Sequence, residues 1–264
     1  MTHVVGGKVS ILFAALCVFP APPNTQERAD QPRLAAILKK SAEYCQKLEQ
    51  AALDFVCLEE VTELSAHFTP ETNVYLYDYQ FIRKTKETKE KRNLIAVDGK
   101  KANIKDSPLH AVMFRYENVL FGPVGLLSKS WQAHHDYKFI GEDTIDKEKA
   151  VVIEATPGPA LVKPHCYGRI WINEDDGSVL KIVWDQKSLG NYKAVEEWAR
   201  IHEAEPLITA FSEYGLEKNG LRFPSRNYSE QAYVNSDKRK IVNARISVIY
   251  KKYKFFTVET EVHY

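Results

Sequence analysis

The chain has 264 residues, and its 36 Lys and Arg side chains nearly balance its 35 Asp and Glu side chains, so no whole-molecule field attracts nucleic acid or an anionic membrane. Its hydrophobic fraction of 44% excludes a fully disordered chain and is enough, at this length, for a sizeable core. The 14 Tyr and 12 Phe residues, against two Met, favour strands over helices because aromatic side chains fit a pleated surface.

The first thirty residues differ from the rest of the chain. An apolar run of about 11 residues, from Val9 to Phe19, is too short for a bilayer span, which needs about 20. It is typical of a secretory signal peptide, which we predict over residues 1–26 with an unclear cleavage site. Lipid anchoring through Cys17 is a weak alternative, since Leu16 stands where such signals have a small residue. We predict one soluble mature domain over residues 27–264.

A helix is the first predicted element of the mature chain. From Asp30 to about Ala52, apolar residues recur at three- and four-residue spacing, with charged residues on the opposite face. Asp30 suits an N-cap, and Pro32 is tolerated in the first turn. The pattern predicts a long amphipathic helix that packs on the rest of the molecule.

Cysteines of the mature chain suggest one disulfide. If the helix carrying Cys45 ends near Ala52 and the next strand folds back along it, Cys57 comes within bridging range. The reason is that about seven helical residues at about 1.5 Å each cover nearly the same length as about five strand residues at about 3.3 Å each. In an oxidising compartment we therefore expect a Cys45–Cys57 disulfide, with Cys166 left free. The alternative is that Cys45 and Cys57 are buried apolar thiols.

After Ala52 the hydrophobic period changes to two, which is typical of strands. In residues 73–82 the aromatic side chains share one face of the strand. Asp98-Gly99 and residues 217–220, Glu-Lys-Asn-Gly, are hairpin turn signals. The predicted strands are residues 55–64, 73–82, 93–97, 101–104, 137–142, 150–155, 168–173, 179–185, 207–216, 221–233, 241–250 and 255–264.

Three segments depart from this alternation. Residues 83–92 are highly charged and are predicted to form a solvated strand end or a hairpin loop. Residues 108–131 are dense in apolar side chains but interrupted by glycine and proline, which predicts short helices and loops. Residues 191–203 are ambiguous, because their apolar positions fit a helical stripe while the neighbouring segments read as strands.

Motifs for catalysis are missing from the sequence. The 12 glycines form no phosphate-binding loop, and no Gly-x-Ser-x-Gly elbow occurs. Metal candidates are residues 134–136, His-His-Asp, and 165–166, His-Cys, but neighbouring strand residues point to opposite faces and do not share an ion without a bend. Glu59, Glu60 and Glu63 are interpreted as an exposed strand face rather than as a general base.

Basic clusters at residues 238–240 and 251–254 lie at predicted strand ends. They are interpreted as solvated edges that discourage aggregation, rather than as a nucleic-acid site. We therefore predict a protein that is not an enzyme and that has no cofactor, no metal site and no nucleic-acid partner.

One hairpin carries a resemblance to a known family. Residues 166–184 contain a strand with Trp171, a turn at Asp175-Asp176-Gly177 and a second strand, and they resemble the periplasmic lipoprotein-carrier and outer-membrane lipoprotein-sorting superfamily. Residues 214–226 and 250–255 continue the resemblance. It implies an α+β, mostly β fold, in which a curved antiparallel sheet of about 10–11 strands forms an incomplete barrel. A long N-terminal helix and short helices would cover its concave face.

The resemblance implies a non-enzymatic periplasmic protein that binds or carries a lipid, an acyl chain or a lipoprotein in a hydrophobic half-barrel. An aromatic and aliphatic concave face stabilises a buried lipid by about 25 cal/mol per Å². The alternative is a cell-envelope interaction protein whose core is closed and which docks a protein partner by strand addition. The residues predicted to line the cavity are Tyr75, Tyr77, Tyr79, Phe81, Phe114, Leu120, Phe121, Leu126 and Trp131.

Overall fold

The computed structural model describes residues 25–66, 69–84, 87–111, 114, 116–160 and 165–256. The predicted signal peptide up to residue 24, with Cys17, and the part of the last predicted strand beyond Phe256 lie outside these residues. In the part of the chain that is described, no helix is long and apolar enough to cross a membrane.

Four α-helices and thirteen strands are found in the described residues. The helices are α1 (Thr25–Gln50), α2 (Val124–Leu127), α3 (Lys129–Gln132) and α4 (Tyr192–Ile201), and single 3-10 turns span Val119–Phe121 and Gln186–Ser188. The strands are β1 (Leu53–Ser65), β2 (Glu71–Lys84), β3 (Glu87–Val97), β4 (Lys100–Ile104), β5 (His135–Ile145), β6 (Glu148–Pro157), β7 (Gly168–Ile172), β8 (Val179–Trp184), β9 (Glu205–Glu213), β10 (Leu216–Lys218), β11 (Leu221–Phe223), β12 (Arg226–Val234) and β13 (Lys240–Phe255).

One antiparallel sheet contains eleven of these strands, in the order β4-β3-β2-β1-β13-β12-β9-β8-β7-β6-β5, and β10 and β11 form a separate hairpin. Strands β4 and β5 form the two edges, so the sheet does not close into a barrel. The predicted fold class, mostly β with an incomplete antiparallel barrel and a long N-terminal helix, is confirmed.

The sheet curves around the segment between β4 and β5. Phe121 of this segment contacts the Phe81 ring of β2, at 5.9 Å between centroids, and a Cβ added at Gly122 would lie 3.5 Å from Ile182 of β8. In a flat sheet β2 and β8 would be about 24 Å apart, from five interstrand spacings of about 4.8 Å. The face that carries Phe81 and Ile182 is therefore the concave face.

Helix α1 packs against this concave side. Ile37 and Leu48 of α1 are 2% and 0% exposed in one cluster with Phe55 of β1, and each such buried side chain contributes about 1.5–3 kcal/mol. Outside the cluster, the Arg33 guanidinium contacts Glu142 at 2.7 Å. The helix thus covers part of the concave face, as the amphipathic pattern predicts.

The segment between β4 and β5 contains short helices and loops, as predicted. Leu120, Leu126 and Leu127 are buried under α1 and against the sheet. The Tyr214 hydroxyl donates a hydrogen bond to the Val119 carbonyl at 2.8 Å. A side chain at Gly122 would meet that hydroxyl at 2.5 Å, so only glycine fits there.

Several element boundaries differ from the predicted ones. Strand β2 runs to Lys84 and β3 begins at Glu87, so residues 83–92 are largely paired strand. The predicted strand 221–233 breaks at Pro224 into β11 and β12, because proline cannot donate to a strand ladder. The predicted strand 207–216 ends at Glu213 and resumes as β10. The ambiguous segment 191–203 forms α4, whose Tyr192, Val195 and Ala199 are buried.

The structure contradicts the predicted disulfide, because Cys45 and Cys57 are both free thiols. The Cys45 thiol donates to the Pro123 carbonyl at 3.6 Å, so α1 turns this residue toward the α2 segment. Cys57 lies on the concave face of β1, where it is 2% exposed, near Tyr253. The two side chains therefore face different neighbours, and each is buried as an apolar thiol.

Candidate functional site

A groove of about 540 Å³ lies on the concave face, in a part of the sheet that α1 does not cover. Its floor contains a row of cross-strand partners, Trp184, Ala210, Ser229 and Ile246, which come from β8, β9, β12 and β13. Partners in register point to the same side of an antiparallel sheet. The groove therefore follows the middle of the sheet across four strands.

Two loops form the walls of the groove. Phe114 and Val119, from the segment between β4 and β5, stand on one side, and Leu189 with Gly190, just before α4, stand on the other. The three apolar side chains are half-buried. A shared open space between partly exposed apolar side chains is typical of a site for a hydrophobic ligand.

Polar groups of the floor are uncharged. The Trp184 indole N–H donates to Ser212 Oγ at 3.3 Å, and that hydroxyl donates to Asn227 Oδ1 at 2.9 Å. Among the described residues that line the groove, Glu117 alone carries a formal charge. The floor thus offers hydroxyl and amide groups to a ligand without a fixed charge.

Cys166 is the only sulfur group among the described lining residues. Its thiol donates weakly to the Ser188 carbonyl at 3.7 Å, and burial raises the pKa of this thiol. A thiol with a raised pKa stays protonated at neutral pH and is a poor nucleophile. This environment suits a binding role for the groove better than covalent chemistry.

The sequence interpretation of Glu59 and Glu63 as exposed is wrong. They share the alternation of Phe55 and Val61 on the concave face and are 0% and 3% exposed, whereas Glu60 faces the convex side and contacts Lys251 at 3.2 Å. Glu59 and Glu63 occupy odd-numbered positions of β1, as the apolar residues Phe55 and Val61 do. This shared alternation was the signal that could have revealed their burial. Two carboxylates thus lie inside the core.

Glu59 is held by a charged partner from β3. Arg92 Nε donates to Glu59 Oε2 at 2.6 Å and its Nη2 donates to Oε1 at 3.1 Å, a bidentate pair. Burial raises the pKa of Glu59, and the guanidinium opposes that rise. The carboxylate in turn raises the pKa of Arg92 above its ordinary value, so the arginine stays charged.

A second cavity, of about 390 Å³, lies beside this pair. Its walls are mostly polar, in contrast to those of the groove, and neither cavity is enclosed. The residues that line it are Glu90, Lys91, Arg92, Asp106, Ser107, Pro108, Leu109, Tyr116 and Glu117.

Most residues predicted to line a ligand cavity are part of the packed core. Tyr77, Phe81, Leu120 and Leu126 are at most 3% exposed, and Tyr79 is 7% exposed and stacks under Arg92. Contact of these residues with a ligand stays a prediction.

The remaining predicted residues lie in different places. Phe114 lines the groove. Tyr75 is half-buried beside His110, and Phe121 packs on Phe81. Trp131 stacks on His165 at 4.0 Å between ring centroids. The structure therefore brings Phe114 alone, of this predicted set, to the groove.

The histidines considered for metal binding gather around Trp131. His135 lies 5.5 Å from His165 between ring centroids, and His134 lies 5.5 Å from Trp131. His165 Nε2 donates to the Gly125 carbonyl at 2.7 Å. In the described residues, no group of three or more His, Cys, Asp and Glu side chains is placed to hold a metal ion.

Comparison with protein-family models and with curated proteins finds no match. Among solved structures, the chain is similar to a candidate outer membrane lipoprotein-sorting protein domain from Vibrio parahaemolyticus, with 12% identity over 85% of this chain and 94% of that one, and a TM-score of 0.41. A LolA superfamily protein from Nitrosomonas europaea matches with 12% identity over 85% of this chain and 96% of that one, and a TM-score of 0.37.

A further similar structure is the MucA/MucB complex of Pseudomonas aeruginosa, with 11% identity over 87% of this chain and 100% of that one, and a TM-score of 0.22. Likenesses of this size carry no conclusion about what this chain binds. The solved structures to which the chain is similar nevertheless include proteins of the superfamily that residues 166–184 resemble.

Proposed function

We propose that the protein is a non-enzymatic binding or carrier protein of the periplasm that holds a lipid or an acyl chain in the groove. The observation that supports this most is the groove itself, an apolar-walled space of about 540 Å³ that α1 leaves uncovered. Its volume falls within the range of about 300–1,000 Å³ typical of small-molecule sites. The signal-peptide pattern of residues 1–26 supports export.

Burial of apolar surface provides the driving force for such binding. Phe114, Trp184 and Leu189 face the groove while half-buried, so a ligand between them would remove apolar area from water. Each ligand CH₂ group buried there would contribute about 0.8 kcal/mol, before the cost of ordering the ligand. The Oδ1 of Asn227 accepts from Ser212, and the N–H donors of the same side-chain amide suit an ester or amide carbonyl of a lipid.

A pair of serine variants tests this proposal. Ser229 lies on the groove floor, and Ser247 lies half-buried on the neighbouring strand β13, on the convex face of the sheet. We expect Ser229→Phe to fill the groove and to weaken binding of N-phenyl-1-naphthylamine, a neutral apolar fluorophore, by at least about tenfold. Ser247→Phe should bind it like the wild type.

The melting temperature of both variants controls for damage to the fold. If the wild type shows no saturable fluorescence increase, or if both variants bind the fluorophore equally well, the groove is not the site of a hydrophobic ligand. A loss in Ser229→Phe together with a drop in its melting temperature calls for the smaller Ser229→Leu, which must show the same loss without the drop.

One observation favours a second candidate, a cell-envelope interaction protein. Strand β5 has 11 residues and, among the strands of the described residues, pairs with β6 alone, so its other edge offers backbone groups for strand addition. A photoreactive residue in place of the exposed Lys138 should then cross-link a partner in intact cells, while the same residue in place of Ser247, which lies on β13 between β1 and β12, should not. Ser229→Phe should leave this cross-link unchanged.

A further inference from the structure

The groove and the second cavity share a wall. Tyr116 and Glu117 line both cavities, so one short stretch of chain separates them. This stretch is fixed to β3, because the Asn118 backbone N–H donates to Glu90 Oε1 at 2.9 Å. The Tyr116 ring also lies over the Arg92 guanidinium, at 5.5 Å. A ligand long enough to reach past Tyr116 and Glu117 would therefore occupy both spaces.

The two cavities differ in charge. The second cavity holds the carboxylates of Glu90, Asp106 and Glu117, with Lys91 and Arg92 as its cations. Lys91 Nζ lies 3.3 Å from Asp106, which neutralises that pair.

Arg92 is already committed to a carboxylate below the cavity. Its Nε and Nη2 both donate to Glu59, and its Nη1 lies 3.6 Å from Glu90. One guanidinium thus stands between two carboxylates. Glu90 shares its counter-charge with Glu59, and Glu117 has no cation within ion-pair distance among the described residues, so the described lining of the cavity has three carboxylates against two cations.

This excess selects the charge of a ligand group. A half-enclosed site with low-dielectric walls concentrates the potential of its charges, which attracts a cation and repels an anion. An ammonium group can also donate hydrogen bonds to the carboxylates of Glu90 and Glu117. Two of the five N–H donors of Arg92 bond Glu59 and its Nη1 faces Glu90, so an anionic head would compete with two carboxylates for this guanidinium.

We propose that the ligand is a cationic amphiphile, whose alkyl tail lies in the groove and whose ammonium head lies in the second cavity between Glu90 and Glu117. This inference rests on the proposed function, since the tail occupies the same groove. It adds a head-group site that the apolar groove alone does not provide.

Displacement of N-phenyl-1-naphthylamine by two ligands with the same tail tests the inference. Dodecylammonium and dodecanoate, both used below the concentration at which they aggregate, differ in the charge of the head. We expect dodecylammonium to bind at least about tenfold more tightly than dodecanoate, and we expect this preference to shrink as the salt concentration rises.

A glutamine variant tests whether the preference for the cationic ligand arises in the second cavity. Glu117 is exposed, so Glu117→Gln should fold like the wild type, and it should weaken dodecylammonium binding by roughly three- to tenfold without weakening dodecanoate. Glu71→Gln, at an exposed position at the start of β2, is the matched control and should change neither ligand.

The possible outcomes separate the two proposals. Equal binding of both ligands, or tighter binding of dodecanoate, with loss of both in Ser229→Phe, would overturn the cationic head group and leave the hydrophobic carrier standing. A dodecylammonium preference that Glu117→Gln and Glu71→Gln leave equally intact would also overturn it. Failure of both ligands to displace the fluorophore, when the fluorophore binds, would count against the carrier itself.

Discussion

At the scale of single residues, the buried Glu59–Arg92 pair carries the largest electrostatic consequence. The Glu59 side chain is 0% exposed and the Arg92 side chain 11% exposed. Removing one partner leaves a charge inside the core without compensation, whereas removing both leaves none. The pair also positions β3 beneath the second cavity.

We predict that Arg92→Met lowers the free energy of unfolding by about 3–5 kcal/mol, because Glu59 loses its partner. The double variant Glu59→Met, Arg92→Met should recover more than half of that loss. Urea denaturation of both variants and the wild type measures the difference. If the double variant is no more stable than Arg92→Met, the account of a charge stranded in the core is wrong.

His135 gives a second prediction at this scale, in the pH dependence of stability. The His135 side chain is buried and its Nδ1 donates to the Trp131 carbonyl at 3.0 Å, while Nε2 finds no hydrogen-bond partner in the described part of the chain. Burial lowers the pKa of His135, and His165 and His134 lower it further. The folded state therefore favours the neutral ring.

Because the folded pKa lies below the unfolded one, this contribution to stability is complete above about pH 6.5 and is lost as the pH falls below it. We expect the urea midpoint of the wild type to fall between pH 7.5 and pH 5 by more than that of His135→Gln. Parallel pH profiles of the two proteins would show that His135 does not titrate between the folded and unfolded states.

At the scale of elements, the sequence predicted the helices and turns that depend on neighbouring residues alone. The period of the apolar residues predicted α1, and Asp98-Gly99 predicted the β3–β4 turn, where φ is +48° and +74°. The break at Pro224 and the charged strand β3 were not predicted. To place the break, one must know which strand would have accepted the missing backbone hydrogen bond. To recognise β3 as a strand, one must know that Glu59, across the concave face, pairs with its charge.

Two glycines with nearly the same backbone angle test how α1 packs. Gly99 and Gly177 have φ of +74° and +73°, but a Cβ at Gly99 meets nothing within 4 Å, whereas one at Gly177 meets the backbone of Lys40 in α1 at 2.5 Å. Gly99→Ala should cost about 1 kcal/mol of stability, which is the cost of a positive φ.

Gly177→Ala should cost clearly more than Gly99→Ala, because α1 must also move away from the β7–β8 turn. Thermal and urea unfolding of both variants provide the comparison. Equal losses for the two substitutions would mean that α1 does not rest on this turn.

At the scale of the whole molecule, the curved sheet explains both the filled and the open part of the concave face. Helix α1 and the segment between β4 and β5 cover the aromatic side of β1 and β2, so the aromatic row Tyr77, Tyr79 and Phe81 belongs to the core. The groove lies where α4 and the loop before it stand apart from that segment. The sequence pattern predicted an apolar concave face but could not say which part of it is filled.

There is a definite physical reason why the sequence could not predict the position of the groove. Its floor joins β8, β9, β12 and β13, and β13 reaches this place because it pairs with β1. Such long-range register depends on the packing of the complete sheet, not on any one segment. Of the residues predicted for the cavity, Phe114 lies at the groove because it belongs to the irregular segment that forms a wall.

Native mass spectrometry of the gently purified protein, followed by lipid extraction, tests the central claim most directly. A carrier should retain a bound mass in the wild type and in Ser247→Phe, the extracted compound should be hydrophobic, and Ser229→Phe should have lost it. Wild-type protein without any bound or exchangeable hydrophobic compound, or the same bound mass in Ser229→Phe, would contradict the account.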